Sequence, residues 1–162
     1  AIDGGRTCPV YQVDEETGKI GKYSHAFSAY YLPYANNNFA TMTLGNAADF
    51  FFTDTMNGCS FGRDNTQNPT VAHLNYTKGK VEGAEIDQSQ IDSKFDSLFG
   101  QGNGRRFKKS DYKKGVADYV TLVGVRMNGQ WQFLWQRREW NGAGLPPSGK
   151  AWLLHKNMPT TV

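Results

Sequence analysis

Short apolar runs separated by polar turn residues recur along this chain and predict a protein built mainly from strands. Residues 39–44 and 119–126 are rich in β-branched and aromatic side chains, and turn-forming residues stand beside each run. Runs of this kind are typical of strands. Residues 24–34 are also apolar and aromatic, and Pro33 lies near their end, so they predict either a strand or a short helix.

The strongest local signal is a hairpin centred on Asn128-Gly129, because Asn-Gly between two apolar runs favours a two-residue β-turn. The flanking segments are 119–126 and 130–140, and the implied register sets Leu122 opposite Trp135. One face of the second strand then carries three aromatic side chains. This face predicts either a core surface or a platform for a sugar or peptide ligand (Trp131, Phe133 and Trp135).

One amphipathic helix is predicted from about Gln88 to Phe99, with Asp87 placed to cap it and Gly100 placed to end it. Its apolar residues recur at helical spacing and form one face for packing on the core (Ile91, Phe95, Leu98 and Phe99). The expected fold class is therefore α+β. We expect a β-rich, sandwich-like core of mostly antiparallel strands with one or a few flanking helices.

Composition favours one domain spanning residues 1–162. The chain is 38% apolar and 20% charged, as is ordinary for a globular protein, and neither a repeat nor a low-complexity linker divides it. No apolar stretch approaches the roughly 20 residues that cross a bilayer, so no membrane span is expected. Residues 1–5 also lack the charged-then-apolar pattern of a signal peptide.

Cys59 and His73 are the clearest candidates for chemistry. An apolar run ends in a tight turn at Asn57-Gly58, and residues 59–76 predict two strands joined by a polar loop. Both residues are equidistant from Thr66 in that loop, so a symmetric hairpin sets them opposite each other with Cβ atoms about 5 Å apart. An imidazole at that distance can take the thiol proton and stabilise the nucleophilic thiolate.

The turn before the cysteine also predicts an oxyanion site. Gly58 favours a bend, and the backbone N–H groups of Cys59 and its neighbours, Gly58 and Ser60 among them, are expected to face a developing oxyanion. Three groups could orient the imidazole: Asn75 on the same strand face, Asp54 just before the turn, or a main-chain carbonyl. The sequence does not choose among them.

The sequence Gly58-Cys59-Ser60, followed one short hairpin later by His73, resembles the catalytic core of the cytotoxic necrotizing factor and Burkholderia lethal factor group. The resemblance covers about residues 50–80 and departs from the usual Leu-Ser ahead of Gly-Cys by having Met56-Asn57. It implies a bacterial toxin or effector, secreted or translocated into a target cell, that deamidates a protein glutamine.

Carried onto this chain, the resemblance implies Cys59 as the nucleophile and His73 as the general base. A backbone carbonyl would hold the imidazole. The chemistry needs no cofactor and no metal ion.

Other interpretations of the same residues remain open. The same pair could serve a peptidase or a peptidoglycan amidase, because the acyl-transfer step is shared. Cys59 could instead pair with Cys8 in a disulfide, or be buried in a binding module that uses the aromatic hairpin. A zinc site is disfavoured because the chain has only two cysteines and three histidines, with no Cys-x-x-Cys pair.

Six basic residues crowd into the segment 105–114 against the single acid Asp111 (Arg105, Arg106, Lys108, Lys109, Lys113 and Lys114). This cluster predicts either a solvated loop or a surface that steers an acidic partner towards the domain. The expected partner is a protein substrate with an acidic face. Nucleic acid is an unlikely partner because no nucleic-acid-binding motif accompanies the basic residues.

Overall fold

The computed structural model describes residues 2–3, 6–10, 27–76, 80–81, 84–85, 88–113 and 118–139. The strands are β1 (Ile2–Asp3), β2 (Arg6–Val10), β3 (Phe27–Leu32), β4 (Asn38–Thr43), β5 (Phe50–Thr53), β6 (Ser60–Arg63), β7 (Thr70–Asn75), β8 (Lys80–Val81), β9 (Ala84–Glu85), β10 (Arg105–Phe107), β11 (Asp118–Met127) and β12 (Gln130–Glu139), and the helices are α1 (Gln88–Phe99) and α2 (Lys109–Tyr112).

Ten of these strands form two five-stranded sheets. Sheet I has the order β1-β4-β7-β6-β10, and sheet II has the order β12-β11-β5-β3-β2. The pairs are antiparallel except β1 with β4 and β3 with β5. Strands β8 and β9 form a separate two-stranded ribbon. The expected α+β class with mostly antiparallel, sandwich-like sheets is confirmed.

The two sheets face each other across one buried core. Sheet I contributes Met42, Phe61 and Val71, and sheet II contributes Phe51 and Leu122. Alternate residues of a strand point to opposite faces, so the same strands of sheet I also present a second, outer face. Helix α1 covers that outer face, which gives the described part of the chain a helix–sheet–sheet layering.

The helix and hairpin predictions are confirmed. Helix α1 buries Ile91 and Phe95, and Gly100 follows it with a φ of 87°, where its N–H bonds to the Asp96 carbonyl. Strands β11 and β12 pair around Asn128-Gly129 in the expected register. The proposed cap residue Asp87 lies outside the described residues.

The aromatic face of β12 belongs to the core. Trp131 is 7% exposed and Phe133 is 1% exposed, and Trp135 packs against the same cluster. A ligand platform on this face, one of the two interpretations of the sequence, is therefore wrong. Residues 24–34, left open between strand and helix, form β3 from Phe27 to Leu32.

The basic segment is structured, so its interpretation as a solvated loop is wrong. Residues 105–107 form β10 at the edge of sheet I, and residues 109–112 form helix α2. The Arg106 guanidinium forms ion pairs with Asp92 and Asp96 of α1, which fixes the helix to the sheet. Among the described residues, neither helix is long and apolar enough to cross a membrane.

The outer face of sheet I accepts α1 only because Gly62 has no side chain. A Cβ placed there would lie closer than 3.0 Å to the rings of Phe95 and Phe99. We predict that Gly62→Ala lowers the free energy of unfolding by about 1–3 kcal/mol, because overpacking displaces the helix. Urea denaturation measures this loss.

The matched control is the same substitution in a Phe95→Leu background, where the nearest ring atoms are gone. The cost of Gly62→Ala should fall there, since directly contacting sites are not additive. An equal cost in both backgrounds would show that the Phe95 ring does not cause it.

Candidate functional site

The candidate site lies where the chain passes from sheet II to sheet I, between the end of β5 and the start of β6. Met56, midway along this crossing, exchanges two backbone hydrogen bonds with Val120 of β11, at 2.8 and 2.9 Å. Because Met56 is also fully buried, the crossing segment is held at both its backbone and its side chain. Cys59 follows three residues later, immediately before β6 begins.

Tyr112 of α2 holds the turn that carries Cys59. Its buried hydroxyl accepts a hydrogen bond from the Gly58 N–H at 2.8 Å and donates one to the Cys59 carbonyl at 2.8 Å. Gly58 has a φ of 116°, a conformation that favours glycine, as the predicted bend requires. Burial raises the pKa of Tyr112, so the hydroxyl keeps the proton that it donates.

The predicted register of the β6–β7 hairpin is wrong by two residues. His73 lies opposite Phe61, and Ser60 lies opposite Leu74, so the position facing Cys59 belongs to Asn75. A two-residue shift keeps the same strand face. Cys59 and His73 are therefore diagonal neighbours on the inner face of sheet I, at a spacing of about 7 Å or less between Cβ atoms.

Asp64 explains the shifted register. Its carboxylate accepts hydrogen bonds from the Thr66 N–H at 3.0 Å, the Thr66 hydroxyl at 2.7 Å and the Thr70 N–H at 3.1 Å. The Asp64 N–H also bonds to the Thr70 carbonyl at 3.0 Å, which closes the ladder. The loop therefore spans residues 65–69, and its centre is one residue beyond Thr66.

His73 is 0% exposed and points between the sheets, where its Nδ1 lies 2.7 Å from the Thr53 hydroxyl of β5. That hydroxyl has one proton and donates it to the Leu32 carbonyl at 2.7 Å. Nδ1 must then be the donor to Thr53, so the lone pair is on Nε2. Nε2 is buried and has no hydrogen-bond partner among the described residues.

Burial keeps both the Cys59 thiol and the His73 imidazole neutral. It raises the pKa of the Cys59 thiol to about 11, against smaller lowering effects from the Asn57 N–H and from Lys109 and Lys113. It lowers the pKa of His73 to about 4, although the Asp54 carboxylate opposes this shift. The expected stabilised thiolate is therefore not the resting state, which is a thiol beside a neutral imidazole.

Two of the expected oxyanion donors are already engaged. The Gly58 N–H donates to the Tyr112 hydroxyl. Hydrogen-bonded pairs alternate along the β6–β7 ladder, and Asp64 with Thr70 is one such pair, so the Ser60 N–H bonds to β7. The Ser60 side chain lies on the opposite sheet face, where its Oγ accepts the Lys109 N–H at 3.3 Å. In the described part of the chain, no hydrogen bond engages the Cys59 N–H, which therefore stays available as the candidate oxyanion donor.

The proposed orienting residues do not hydrogen-bond the imidazole within the described part of the chain. Asp54 accepts hydrogen bonds from the Tyr31 hydroxyl and from the Tyr34 N–H, the latter at 2.9 Å. Asn75 is buried next to Cys59 by register. The described residues likewise show no main-chain carbonyl bonded to the imidazole, whose Nδ1 instead bonds to the Thr53 hydroxyl.

Cys59 is a free thiol, so the alternative of a disulfide with Cys8 is wrong. Across the segments that the structure describes, no group of three or more His, Cys, Asp or Glu side chains is arranged to hold a metal ion. His155 and the loop 142–149 lie outside those segments.

Sequence reasoning missed Thr53 and Tyr112. Thr53 ends an apolar run and is one of only two polar residues buried on β5 and β6. A buried threonine at a strand end is a weak signal. Tyr112 lies 53 residues from Cys59 in a segment dominated by lysines, and nothing in its neighbourhood indicates the contact.

Comparison with known proteins identifies no family for this chain. No model of a known protein family matches the chain. No curated protein matches it either.

The buried imidazole predicts a specific pH dependence of stability. His73 stays neutral in the folded chain down to about pH 4, whereas an unfolded histidine takes up a proton below about pH 6.5. The unfolded state thus binds more protons in this window, and the free energy of unfolding falls by about 3 kcal/mol as the pH drops through it. Urea titrations from pH 7.5 to 4 measure the slope.

Substitution of His73→Gln should remove that part of the slope, while Cys59→Ala should retain it. An unchanged slope in His73→Gln would show that another group carries the pH dependence.

The role of the Thr53 hydroxyl predicts a contrast between two variants. Thr53→Val keeps the shape but leaves the Leu32 carbonyl and His73 Nδ1 without their partner, which should cost about 1–3 kcal/mol of unfolding free energy. It should also populate the other imidazole tautomer, visible in long-range ¹H–¹⁵N correlation spectra. Thr53→Ser should preserve the Nδ1–H tautomer, and a pure Nδ1–H tautomer in Thr53→Val would contradict the assignment.

Proposed function

We propose that this chain is a bacterial toxin or effector, secreted or translocated into a target cell, that deamidates a glutamine of a target protein. The reaction would use Cys59 and His73 and would pass through a thioester. One observation carries the proposal. The Nε2 lone pair of His73 is buried on the same sheet face as Cys59 and has no hydrogen-bond partner among the described residues, while Nδ1–H is anchored to Thr53.

A buried nitrogen without a hydrogen bond costs stability, about 1–3 kcal/mol for a neutral group. Nε2 is one of five such buried side-chain atoms among the described residues, and a catalytic role is one of the accepted explanations for such a group. A nucleophile beside a base that a third group orients is the general pattern of covalent acyl transfer. Cys59, His73 and Thr53 supply these three parts.

The proposed reaction begins with general-base catalysis. His73 Nε2 takes the Cys59 proton as sulfur attacks the glutamine carbonyl carbon, and the Cys59 N–H donates to the developing oxyanion. The imidazolium then gives the proton to the departing amide nitrogen, which leaves as ammonia. A thioester between the glutamyl carbonyl and Cys59 remains.

Hydrolysis completes the cycle with the same base. Nε2 takes a proton from water, the resulting hydroxide attacks the thioester carbonyl, and the thiolate leaves and recovers that proton. The products are a glutamate side chain and the free thiol. Because the Cys59 thiol and the His73 imidazole are both neutral at rest, no thiolate–imidazolium pair forms before the substrate binds.

The recessed position of the thiol favours a side-chain amide over a main-chain one. Cys59 is 7% exposed, and the preceding Gly58 is buried. A glutamine side chain is narrow and places its carboxamide beyond a two-methylene stem, so it fits a recess. A peptide bond would have to bring two flanking chain segments to the same depth.

A peptidase or peptidoglycan amidase remains the second candidate among enzymes, since the acyl-transfer steps are common to all three. The binding-module alternative has lost the surface on which it depended, because Trp131 and Phe133 are core residues.

Quantitative peptide mapping of eukaryotic cell lysates tests the reaction type. We expect treatment with the intact protein to convert particular glutamines to glutamates. Cys59→Ser should abolish the conversion, and His73→Gln should lower it by at least about 100-fold, the usual contribution of a general base. Ser97→Ala, on the exposed side of α1, is the matched control and should retain full activity.

New chain termini that depend on Cys59 would instead identify a peptidase. The absence of any Cys59-dependent change, in lysates where the folded protein persists, would refute hydrolase function.

A further inference from the structure

The basic cluster at residues 105–114 separates into two groups in the structure. Arg106 and Lys108 form ion pairs with Asp92 or Asp96, so their charges serve the attachment of α1. Lys109 and Lys113 lie on the other side of the cluster, against the turn that carries Cys59. Among the described residues, no carboxylate lies within ion-pair distance of either lysine.

Both lysines contact this turn directly. The Lys113 ammonium donates a hydrogen bond to the Asn57 side-chain oxygen at 2.7 Å, and the Lys109 side chain passes 4.0 Å from the point where a Cβ of Gly58 would lie. Lys109 is also anchored at its backbone, because its N–H donates to Ser60 Oγ. The two ammonium groups are close enough to lower the pKa of the Cys59 thiol, against the larger effect of burial.

Among the side chains that the structure describes, the nearby acids do not neutralise this side of the site. Asp111 accepts the Lys108 N–H at 2.7 Å at the start of α2. Asp54 is on the far side of the turn, where it binds Tyr31 and the Tyr34 N–H. The thiol therefore has one anionic flank, at Asp54, and one cationic flank, at Lys109 and Lys113.

We propose that Lys109 and Lys113 form a carboxylate subsite beside Cys59, which binds an acidic residue adjacent to the target glutamine. The identity of the substrate rests on the proposed function, whereas the subsite itself rests on the contacts above. A carboxylate placed there would accept hydrogen bonds from both ammonium groups. It would also hold the neighbouring carboxamide over the sulfur.

An acidic polypeptide fits this surface better than a nucleic acid does. Binding of a nucleic-acid backbone depends on several phosphate contacts along a continuous basic stripe. Here the stripe is interrupted, because Arg106 and Lys108 are already paired with acids of α1. Two lysine side chains beside the turn that carries the thiol match one or two carboxylates.

The subsite can be tested without a substrate, from the rate at which Cys59 is alkylated by anionic iodoacetate relative to neutral iodoacetamide. Both reagents use the same thiolate, so their rate ratio cancels any change in thiol pKa. At pH 8.5 and low salt, Lys109→Gln and Lys113→Gln should each lower the ratio about three-fold, and the double variant about ten-fold. Mass spectrometry of the Cys59 peptide measures both rates.

Arg105→Gln is the matched control. Arg105 is an exposed cation of the same cluster but lies opposite Arg63, four positions along β6 from Cys59. Its substitution should leave the ratio unchanged. An unchanged ratio in the lysine variants, or an equal fall in Arg105→Gln, would overturn the proposal.

Protection experiments separate the two kinds of partner. A synthetic peptide with glutamine between glutamates should slow iodoacetamide alkylation of Cys59 more than the same peptide with lysines, and more than a single-stranded oligonucleotide of equal charge. Equal or greater protection by the oligonucleotide, or no preference for the acidic peptide, would refute recognition of an acidic polypeptide.

If the lysate experiment shows no deamidation while the reagent ratios fall as expected, the carboxylate subsite stands and only the proposed reaction fails.

Discussion

The candidate site depends on one proton, the hydroxyl proton of Thr53. Because it is committed to the Leu32 carbonyl, the Thr53 oxygen can only accept from His73, and the imidazole is held as its Nδ1–H tautomer. The lone pair must then lie on Nε2, which has no hydrogen-bond partner in the part of the chain that the structure describes. This short chain of hydrogen bonds joins sheet II to sheet I through the core, so the pairing of the sheets and the protonation of the base have a common origin.

Burial has a second consequence for the same site. It disfavours charge on both the sulfur and the imidazole, so the resting site holds a thiol and a neutral base rather than an ion pair. The turn is nevertheless held in place without charge, since Tyr112 binds the backbone on both sides of the bend and Met56 binds β11. Neutral hydrogen bonds to the backbone therefore position the turn that carries Cys59.

Local patterns in the sequence were sufficient to predict α1, the β11–β12 hairpin and the general class of fold. Each of these depends on residues that are close together in the chain. The register of the β6–β7 hairpin was not predictable from symmetry, since Asp64 organises its loop unequally. Thr53 and Tyr112 were also missed. Their partners lie 20 and more than 50 residues away, and only the packing of the sheets and of α2 brings them together.

The division of the site between the sheets has a mechanical consequence. Cys59 and His73 belong to sheet I, whereas Thr53, which selects the tautomer, belongs to sheet II. A small slide of one layer over the other would weaken the bond between Thr53 and the His73 ring, and with it the preference for hydrogen on Nδ1. Shear between the layers would thus act on the imidazole through proton placement.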